Sequence, residues 1–278
     1  NVWSMMSADE ELGFVYLPVG TPTGDYYGGH RLGDNLFAES LVCLDVETGE
    51  RVWHFQMVHH GVWDYDNPAP PILLDITVDG RPIRAVAQVT KQGFVYTFDR
   101  ITGEPVWPIE ERAVSTTTDL EGELLSDTQP FPTKPAPFEY QGATEDDLID
   151  FTPELRRLAL RAVDGFRLGP LYTPQSLAGT IQRPSVAGAA TWTGAAVDPE
   201  TGVLYVPSNN GHSVIRYRQG RPGEPATFRY IQAHGAEAAP GPQMPQGLPL
   251  WKPPYSRMTA IDMNRGEHLW MTPLGNGD

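Results

Sequence analysis

The segment SLVCLDVETGERVWHFQ, residues 40–56, predicts a β-hairpin. Apolar residues alternate on both sides of the central Glu-Thr-Gly, and a glycine between two alternating runs is a common turn signal. Within that turn, Asp45 can accept hydrogen bonds from nearby backbone N–H groups, and Gly49 can adopt a positive φ. We expect Trp53, on the second strand, to dock outward on a neighbouring unit.

This hairpin recurs along the chain. The same spacing of a small residue, Asp, Gly and Trp is found at residues 97–107 and 260–270. A related hairpin, with Tyr instead of Trp, occurs at residues 9–16 and 198–205. Four short strands that repeat at intervals of about 40 to 50 residues are typical of β-propeller blades, so the predicted fold class is all-β. Pairing the two hairpin types gives four-stranded units at residues 1–57, about 69–110 and about 183–274.

Two insertions interrupt the repeats. Residues 111–182 are Pro-rich and irregular in their first half, and their second half predicts one amphipathic helix. Thr152 is suited to cap that helix, Pro153 to occupy its first turn, and Gly165 marks where it ends. The second insertion, about residues 213–252, is rich in Gly and Pro and predicts a long loop over one face of the propeller.

Composition excludes several partners. A formal charge of −15 over 278 residues and a pI near 4.8 exclude nucleic acid and anionic membranes, because binding phosphate needs Lys and Arg. Cys43 is the only cysteine, so this chain alone builds no internal disulfide and no thiolate metal site. No apolar run approaches the roughly 20 residues of a membrane helix. The chain begins within a strand-like run without an initiator Met, which predicts an internal piece of a longer protein.

The His-rich segment VHHGVWDYD, residues 58–66, begins where the first hairpin ends, at the rim of a sheet. Loops at sheet rims often carry catalytic groups, and a carboxylate among aromatic rings can have a perturbed pKa. Asp64 is a candidate proton acceptor, whereas Asp66, close to a Pro, is predicted to form a turn. Adjacent residues on extended chain point to opposite faces. We therefore expect one of His59 and His60 to pack at the site and the other to bond to the backbone.

Residue type alone leaves other interpretations open. Asp64 also fits an Asx turn after Trp63, and Lys91, beside the Gln-Gly of a turn, also fits a solvated hairpin tip. His212, at the end of a predicted strand, fits a turn or a site equally well. Cys43 occupies the small-residue position of the first repeat and is predicted to be buried and inert.

Together with the Trp repeats and the His-rich segment, YYGG at residues 26–29 and VTKQGFVYTFDR at residues 89–100 carry a family resemblance. The chain resembles the quinoprotein dehydrogenases that use pyrroloquinoline quinone (PQQ), and the membrane glucose dehydrogenase type more than the methanol dehydrogenase type. The resemblance implies an eight-bladed propeller with PQQ and a bound Ca²⁺ or Mg²⁺ near its central axis. Residues 1–278 are then a partial propeller domain of about three blades, completed by a part outside this chain.

The resemblance also implies residue roles. Asp64 falls on the family's catalytic base, and Lys91 falls on the Lys that bonds the quinone oxygens. Trp192 lies outside the repeat position, in a segment similar to the Pro-rich stretch that lines the cofactor, and we expect its ring to face PQQ. The family's metal-ligand segments lie in the absent half, so the metal ligands are unknown. Roles lining the substrate site fall on His59, His60 and Trp63.

The sequence departs from the family pattern at a few positions. His30 stands where the family commonly has Asn or Asp after the paired glycines. Val186 and Ala189 replace polar and Gly positions in the segment that resembles the cofactor-lining stretch. These substitutions leave the roles of the three positions open.

The implied activity is oxidation of an aldose or polyol hydroxyl, by base-assisted hydride transfer to the quinone. Electrons then pass to ubiquinone or a cytochrome. The implied location is periplasmic or periplasm-facing, with any membrane anchor outside this chain, and the fragment alone is predicted to be inactive. One alternative is a non-catalytic Trp-repeat propeller that binds proteins, which needs neither Asp64 nor Lys91. Another is an alcohol-oxidising quinoprotein, which the missing vicinal cysteines disfavour.

Overall fold

The computed structural model describes residues 1–234, 238 and 240–275. Helix α1 spans Pro153–Val163, and short 3₁₀ helices span Glu145–Asp147 and Pro245–Gly247. None of the helices in the described part is long and apolar enough to cross a membrane. The strands, in chain order, are β1 (Ser7–Asp9), β2 (Phe14–Pro18), β3 (Ser40–Asp45), β4 (Arg51–Gln56), β5 (Ile72–Val78), β6 (Arg81–Val89), β7 (Val95–Asp99), β8 (Ile109–Ala113), β9 (Thr128–Pro132), β10 (Ile181–Gln182), β11 (Ala196–Asp198), β12 (Val203–Asn209), β13 (Ser213–Val214), β14 (Tyr217–Gln219), β15 (Tyr230–Gln232), β16 (Ser256–Asp262) and β17 (Glu267–Pro273).

Two blades have the predicted four antiparallel strands. The first has the order β1-β2-β3-β4, and another has the order β11-β12-β16-β17. In the first blade Cys43 lies opposite Trp53, with a bulge directly after Cys43. In the other, Ala260 lies opposite Trp270, with a bulge at the same place. The shared register confirms that the two hairpins are copies of one unit.

The middle blade is simpler than predicted. It has the order β5-β6-β7, and a single bridge between Phe98 and Pro105 stands in place of the outer strand. The prediction of four full strands here is therefore wrong. Pro105 and Pro108 flank the segment that carries Trp107, and neither can donate a backbone hydrogen bond to extend the ladder.

Tryptophans join the blades. Trp53 is 8% exposed, its Nε1 donates to the Arg100 carbonyl (3.2 Å), and its ring lies against Gly103 of the middle blade. A Cβ added to Gly103 would stand 2.7 Å from that ring, so only Gly fits. Trp107 lies in the same way against Gly266, and both rings are buried as predicted. Trp270 is 45% exposed because no further blade follows it in the described part of the chain.

The insertions hold more structure than the sequence indicated. Helix α1 begins as predicted, with the Thr152 side chain accepting from the Leu155 backbone. Residues 111–182 are not irregular in their first half, however, because β8 and β9 form a hairpin there. The hairpin was not predicted because β9 carries a Pro in its middle and another at its last position, and because β8 carries exposed charges. The second insertion also contains a hairpin, β14–β15, and its residues 235–237 and 239 lie outside the described residues.

Candidate active site

The His-rich segment leaves β4 with an unusual backbone. His60 has φ +47° and Asp64 has φ +56°, in the left-handed region that few residues other than Gly adopt. Asp and Asn tolerate this region better than most side chains. Strained positions of this kind cluster at functional sites. Gly61 packs directly on the carboxyl of Glu39, where a Cβ would clash.

The two histidines point in different directions. The buried His60 binds the Gly33 carbonyl through Nδ1 (2.7 Å) and Glu123 through Nε2 (2.7 Å). Because a carbonyl only accepts, Nδ1 of His60 carries a proton. His59 turns instead toward Glu111 at the surface (3.0 Å). They are therefore not a chelating pair, as expected, and their roles in lining the substrate site stay predictions.

Trp63 supports the segment from beneath. It is buried, its Nε1 donates to the Thr173 carbonyl (2.9 Å), and its ring packs against Tyr65 and Tyr172. This aromatic cluster anchors the loop that carries Asp64 to the segment around residue 172. A role for Trp63 in lining the substrate site stays a prediction.

Lys91 is the centre of the site. It is 6% exposed, and its Nζ donates to the Asp64 carbonyl (2.8 Å), to Asp64 Oδ1 (3.1 Å) and to Asp66 Oδ2 (3.0 Å). Lys91 is thus not a solvated hairpin tip. The prediction that Asp66 only forms a turn is wrong, because its side chain points inward to Lys91 and accepts from the Thr21 backbone (2.5 Å). The buried Lys91 thus contacts two carboxylates, Asp64 and Asp66, which precede it in the sequence by 27 and 25 residues.

The two carboxylates differ in proton affinity. Burial raises the pKa of Asp64 to about 7, the hydrogen bond with Asp66 adds to the rise, and Lys91 opposes it. Burial also acts to raise the pKa of Asp66, but the hydrogen bond with Asp64, the charge of Lys91 and the Thr21 backbone together lower it. Asp66 therefore stays ionised, and Asp64 can take up and release a proton near neutral pH. Separated pKa values of this kind identify acid–base pairs.

The sequence did not predict the residues that surround Asp64 and Asp66. The Tyr26 hydroxyl donates to Asp64 Oδ2 (3.0 Å). The Thr21 hydroxyl donates to Glu39 Oε1 (3.1 Å), and Glu39 is fully buried, so desolvation and the nearby Asp66 raise its pKa to about 8. Only the YYGG segment carried a signal, through the family resemblance. An isolated Glu before β3 looks like an ordinary surface residue.

The segment from Arg183 to Gly194 closes over Lys91. Gly188 lies against the Lys91 side chain, where a Cβ would clash, and the Ala189 N–H donates to the Lys91 carbonyl (2.8 Å). Trp192 follows in the same segment and is 60% exposed, with its ring open to solvent rather than packed in the core. Its role toward a cofactor stays a prediction.

Several other candidates lie away from Lys91. His212 accepts from Trp251 Nε1 (2.9 Å), and burial, with Arg183 nearby, lowers its pKa to about 4. This indicates a structural role for His212. The ring of His30 stacks on Phe228 at a centroid distance of 4.0 Å. Cys43 is buried, as predicted, and burial raises the pKa of its thiol to about 12.

The donor set fits a bound quinone but not a complete metal site. Lys91 directs its three N–H donors at oxygens of Asp64 and Asp66, so a quinone oxygen would bind by replacing one of these acceptors, beside a carboxylate that can accept a proton. In the described residues no group of three or more His, Cys, Asp or Glu side chains is arranged to hold a metal ion. The residues of this chain therefore suit one side of a quinone site and leave the metal ligands unassigned.

Comparison with known proteins gives relatives over the whole chain. The family described as "PQQ: Glucose/ethanol/alcohol dehydrogenase, beta-propeller domain" matches residues 1–278. The chain is 31% identical to the quinate/shikimate dehydrogenase (quinone) of Acinetobacter baylyi, 32% to the glycerol dehydrogenase large subunit of Gluconobacter oxydans and 31% to the quinoprotein glucose dehydrogenase of Escherichia coli. Each alignment covers 99% of this chain but only 36%, 40% and 36% of these relatives, respectively. The chain therefore spans less than half of their length.

The fold agrees with a solved structure. The quinohemoprotein alcohol dehydrogenase from Comamonas testosteroni superposes with a TM-score of 0.59 at 22% identity, over 97% of this chain and 34% of that one. The blades described above are thus those of a known propeller. The chain belongs to the PQQ-dependent glucose/ethanol/alcohol dehydrogenase family and forms part of its β-propeller domain.

Proposed function

We propose that the protein containing this chain is a PQQ-dependent dehydrogenase that oxidises a hydroxyl of an aldose, polyol or related polyhydroxy substrate. The observation that carries the proposal is the buried Lys91 between Asp64 and Asp66, whose pKa values are pushed in opposite directions. Relatives named for glucose, glycerol and quinate support this substrate class. A non-catalytic scaffold has no need to bury these charges.

The residues divide the chemistry between them. When bound, PQQ supplies the hydride acceptor. Asp64, the group with a pKa near 7, accepts the hydroxyl proton of the substrate. Lys91 holds the quinone oxygens with its ammonium and favours negative charge there. Asp66 stays ionised and orients the Lys91 side chain by accepting a hydrogen bond from it. Trp192, exposed in the segment that closes over Lys91, offers a ring face for the cofactor.

The remaining parts of the enzyme lie outside these residues. We propose that a divalent cation, Ca²⁺ or Mg²⁺, accompanies PQQ with ligands outside the Lys91 cluster. The electron acceptor is proposed to be ubiquinone or a cytochrome, and the site is proposed to face the periplasm. We assign residues 1–278 to a partial propeller domain. We propose that this domain is active only together with the remaining blades of the propeller.

The test uses the full-length protein that contains this chain, prepared without cofactor and reconstituted with PQQ and Ca²⁺ or Mg²⁺. Dye reduction is measured with aldoses, polyols, cyclic hydroxy acids and simple primary alcohols. Sugar or polyol turnover that depends on PQQ supports the proposal, and a preference for simple alcohols favours the alcohol-oxidising alternative. Absence of PQQ binding and of all turnover contradicts both and favours a scaffold.

A lysine variant tests the site itself. Lys91→Met removes the charge at similar size, so PQQ retention and turnover should both fall. Lys91→Arg, which keeps the charge, controls for loss of folding through the unpaired carboxylates. Lys252→Met is the matched control, because Lys252 pairs with Asp150 at the surface. Unchanged PQQ retention in Lys91→Met would remove Lys91 from the cofactor site.

A further inference from the structure

We propose that Tyr26 is a positioning residue for Asp64, and that the hairpin β14–β15 of the second insertion holds Tyr26 in place. This inference rests on the proposed function, since it concerns the proposed base. It assigns to the insertion a part in the chemistry, although the insertion lies about 150 residues further along the chain than Asp64.

The Tyr26 hydroxyl completes the hold on the Asp64 carboxylate. Oδ1 of Asp64 accepts from Lys91 (3.1 Å), and Oδ2 accepts from Tyr26 (3.0 Å). The torsion that rotates a carboxylate is soft, so a single donor would leave the second oxygen free to turn. With both donors present, the plane of the carboxylate is fixed between a cation on one side and a phenol on the other.

Tyr26 acts as a donor only. Burial and the Asp64 carboxylate beside it raise the pKa of the Tyr26 phenol well above its ordinary value. The phenol therefore remains protonated at any working pH and does not compete with Asp64 for the substrate proton. A hydrogen bond donated to a carboxylate favours its ionised form, so Tyr26 opposes the rise that burial causes in the pKa of Asp64.

The second insertion fixes Tyr26 from outside. The hydroxyl of Tyr217, the first residue of β14, donates to the Tyr26 carbonyl (2.9 Å). Beside this bond, the Tyr27 ring packs edge-on against Tyr230 of β15 at a centroid distance of 5.3 Å. The hairpin thus rests on the loop of Tyr26 and Tyr27 by a hydrogen bond and a ring contact. Two successive hydrogen bonds link Tyr217 to the proposed base.

Other ionisable groups also face Asp64, so a pH profile reports on all of them. They belong to three elements: the turn after β6, the His-rich segment and the loop between β2 and β3. Tyr26 is the neutral donor among them, and its replacement by Phe leaves every formal charge in place. The groups are Lys91, Asp66, Glu39 and Tyr26.

The test compares Tyr26→Phe with Tyr27→Phe in the full-length enzyme with PQQ. Tyr27 is the neighbour on the same loop, but its hydroxyl donates to the Glu121 carbonyl (3.0 Å) and not to Asp64. In Tyr26→Phe we expect kcat to fall about tenfold. The acid side of the kcat/KM profile should move to higher pH by roughly one unit or less. Substrate KM and PQQ retention should change little, and Tyr27→Phe should keep the wild-type profile.

Tyr217→Phe tests the outer contact. It should change kcat and the profile in the same direction as Tyr26→Phe, by a smaller amount, because it loosens Tyr26 without removing its hydroxyl. Wild-type kinetics in Tyr217→Phe would overturn the role of the hairpin. Wild-type kcat and an unmoved profile in Tyr26→Phe would overturn the positioning role.

A measurement without turnover separates this proposal from the proposed function. The carboxylate band of Asp64 is followed by infrared spectroscopy against pH in the PQQ-free protein and identified by its absence in Asp64→Asn. A higher pKa of Asp64 in Tyr26→Phe supports the positioning role even if no substrate is oxidised. An unchanged pKa in that variant overturns it, whatever the enzyme's activity.

Discussion

Replacing Asp64 with Asn tests the proposed base most directly. Both residue types tolerate the left-handed φ of +56° at this position, so the variant changes charge with little change in backbone strain. The Asn side-chain oxygen can still accept from Tyr26 or Lys91, and the backbone carbonyl of residue 64 still accepts from Lys91. Loss of the ionisable group is therefore the main effect.

The pKa of Asp64 sets the expected pH dependence. Burial first, and then Asp66, raise it from 3.8 to about 7 against the charge of Lys91. This rise corresponds to about 4 kcal/mol in favour of the protonated form. A base must be ionised to accept a proton, so wild-type kcat/KM should increase roughly tenfold per pH unit below pH 7 and level off above it. Asp64→Asn should lower the plateau by about 10²- to 10⁴-fold and abolish the increase.

Asp66→Asn is the matched control, because Asp66 binds the same lysine. Asp66 raises the pKa of Asp64, so its neutralisation should keep the pH-dependent increase but move it to lower pH, by roughly one unit. The assay is PQQ-dependent dye reduction from pH 5 to pH 9 by the full-length enzyme, with bound PQQ measured separately. A wild-type increase that persists in Asp64→Asn would refute the reasoning and assign the titration to another group.

Two further predictions concern stability of the full-length protein. Gly103→Ala forces a Cβ to 2.7 Å from the Trp53 ring, so it should lower the unfolding free energy by about 1 to 3 kcal/mol more than Gly80→Ala, measured by urea unfolding. Gly80 has a similar positive φ but open space around it, and equal losses in the two variants would contradict the docking role of Gly103. The folded-state pKa of Glu39 is raised from 4.5 to about 8, so its contribution to stability is complete below pH 4.5 and is lost as pH rises to 8, by up to about 5 kcal/mol. Glu39→Gln should flatten the fall in urea midpoint across that window, and a fall of wild-type size would show that Glu39 ionises normally.

Local patterns allowed much of the fold to be predicted. The Trp repeats of the first and last blades are hairpins whose turn, register and docking residue lie within about a dozen residues, so these blades follow from short-range chemistry. The same holds for the start of α1 at Thr152. The number of strands in the middle blade was overestimated, because the repeat pattern does not reveal that Pro105 and Pro108 interrupt the outer strand.

The site was predictable only in part. Asp64 and Lys91 lie in segments with a family resemblance, and the structure brings them within hydrogen-bonding distance. Tyr26 reaches Asp64 across 38 residues, and Tyr217 reaches Tyr26 across 191. No periodicity links such positions, because only the packing of blades and insertions brings them together. The inward turn of Asp66 likewise depends on a charge partner that lies 25 residues away.

The Trp–Gly contacts between blades have a consequence for how the number of blades can change in evolution. The middle repeat carries Gly103, which receives Trp53, and also Trp107, which enters the space beside Gly266. One genetic duplication of this repeat copies the projecting Trp and the Gly that receives a Trp together. At the Trp–Gly contact, the new blade then matches the older blade on either side. Blade number can therefore change by whole repeats, with the same Trp–Gly contact formed at each new joint.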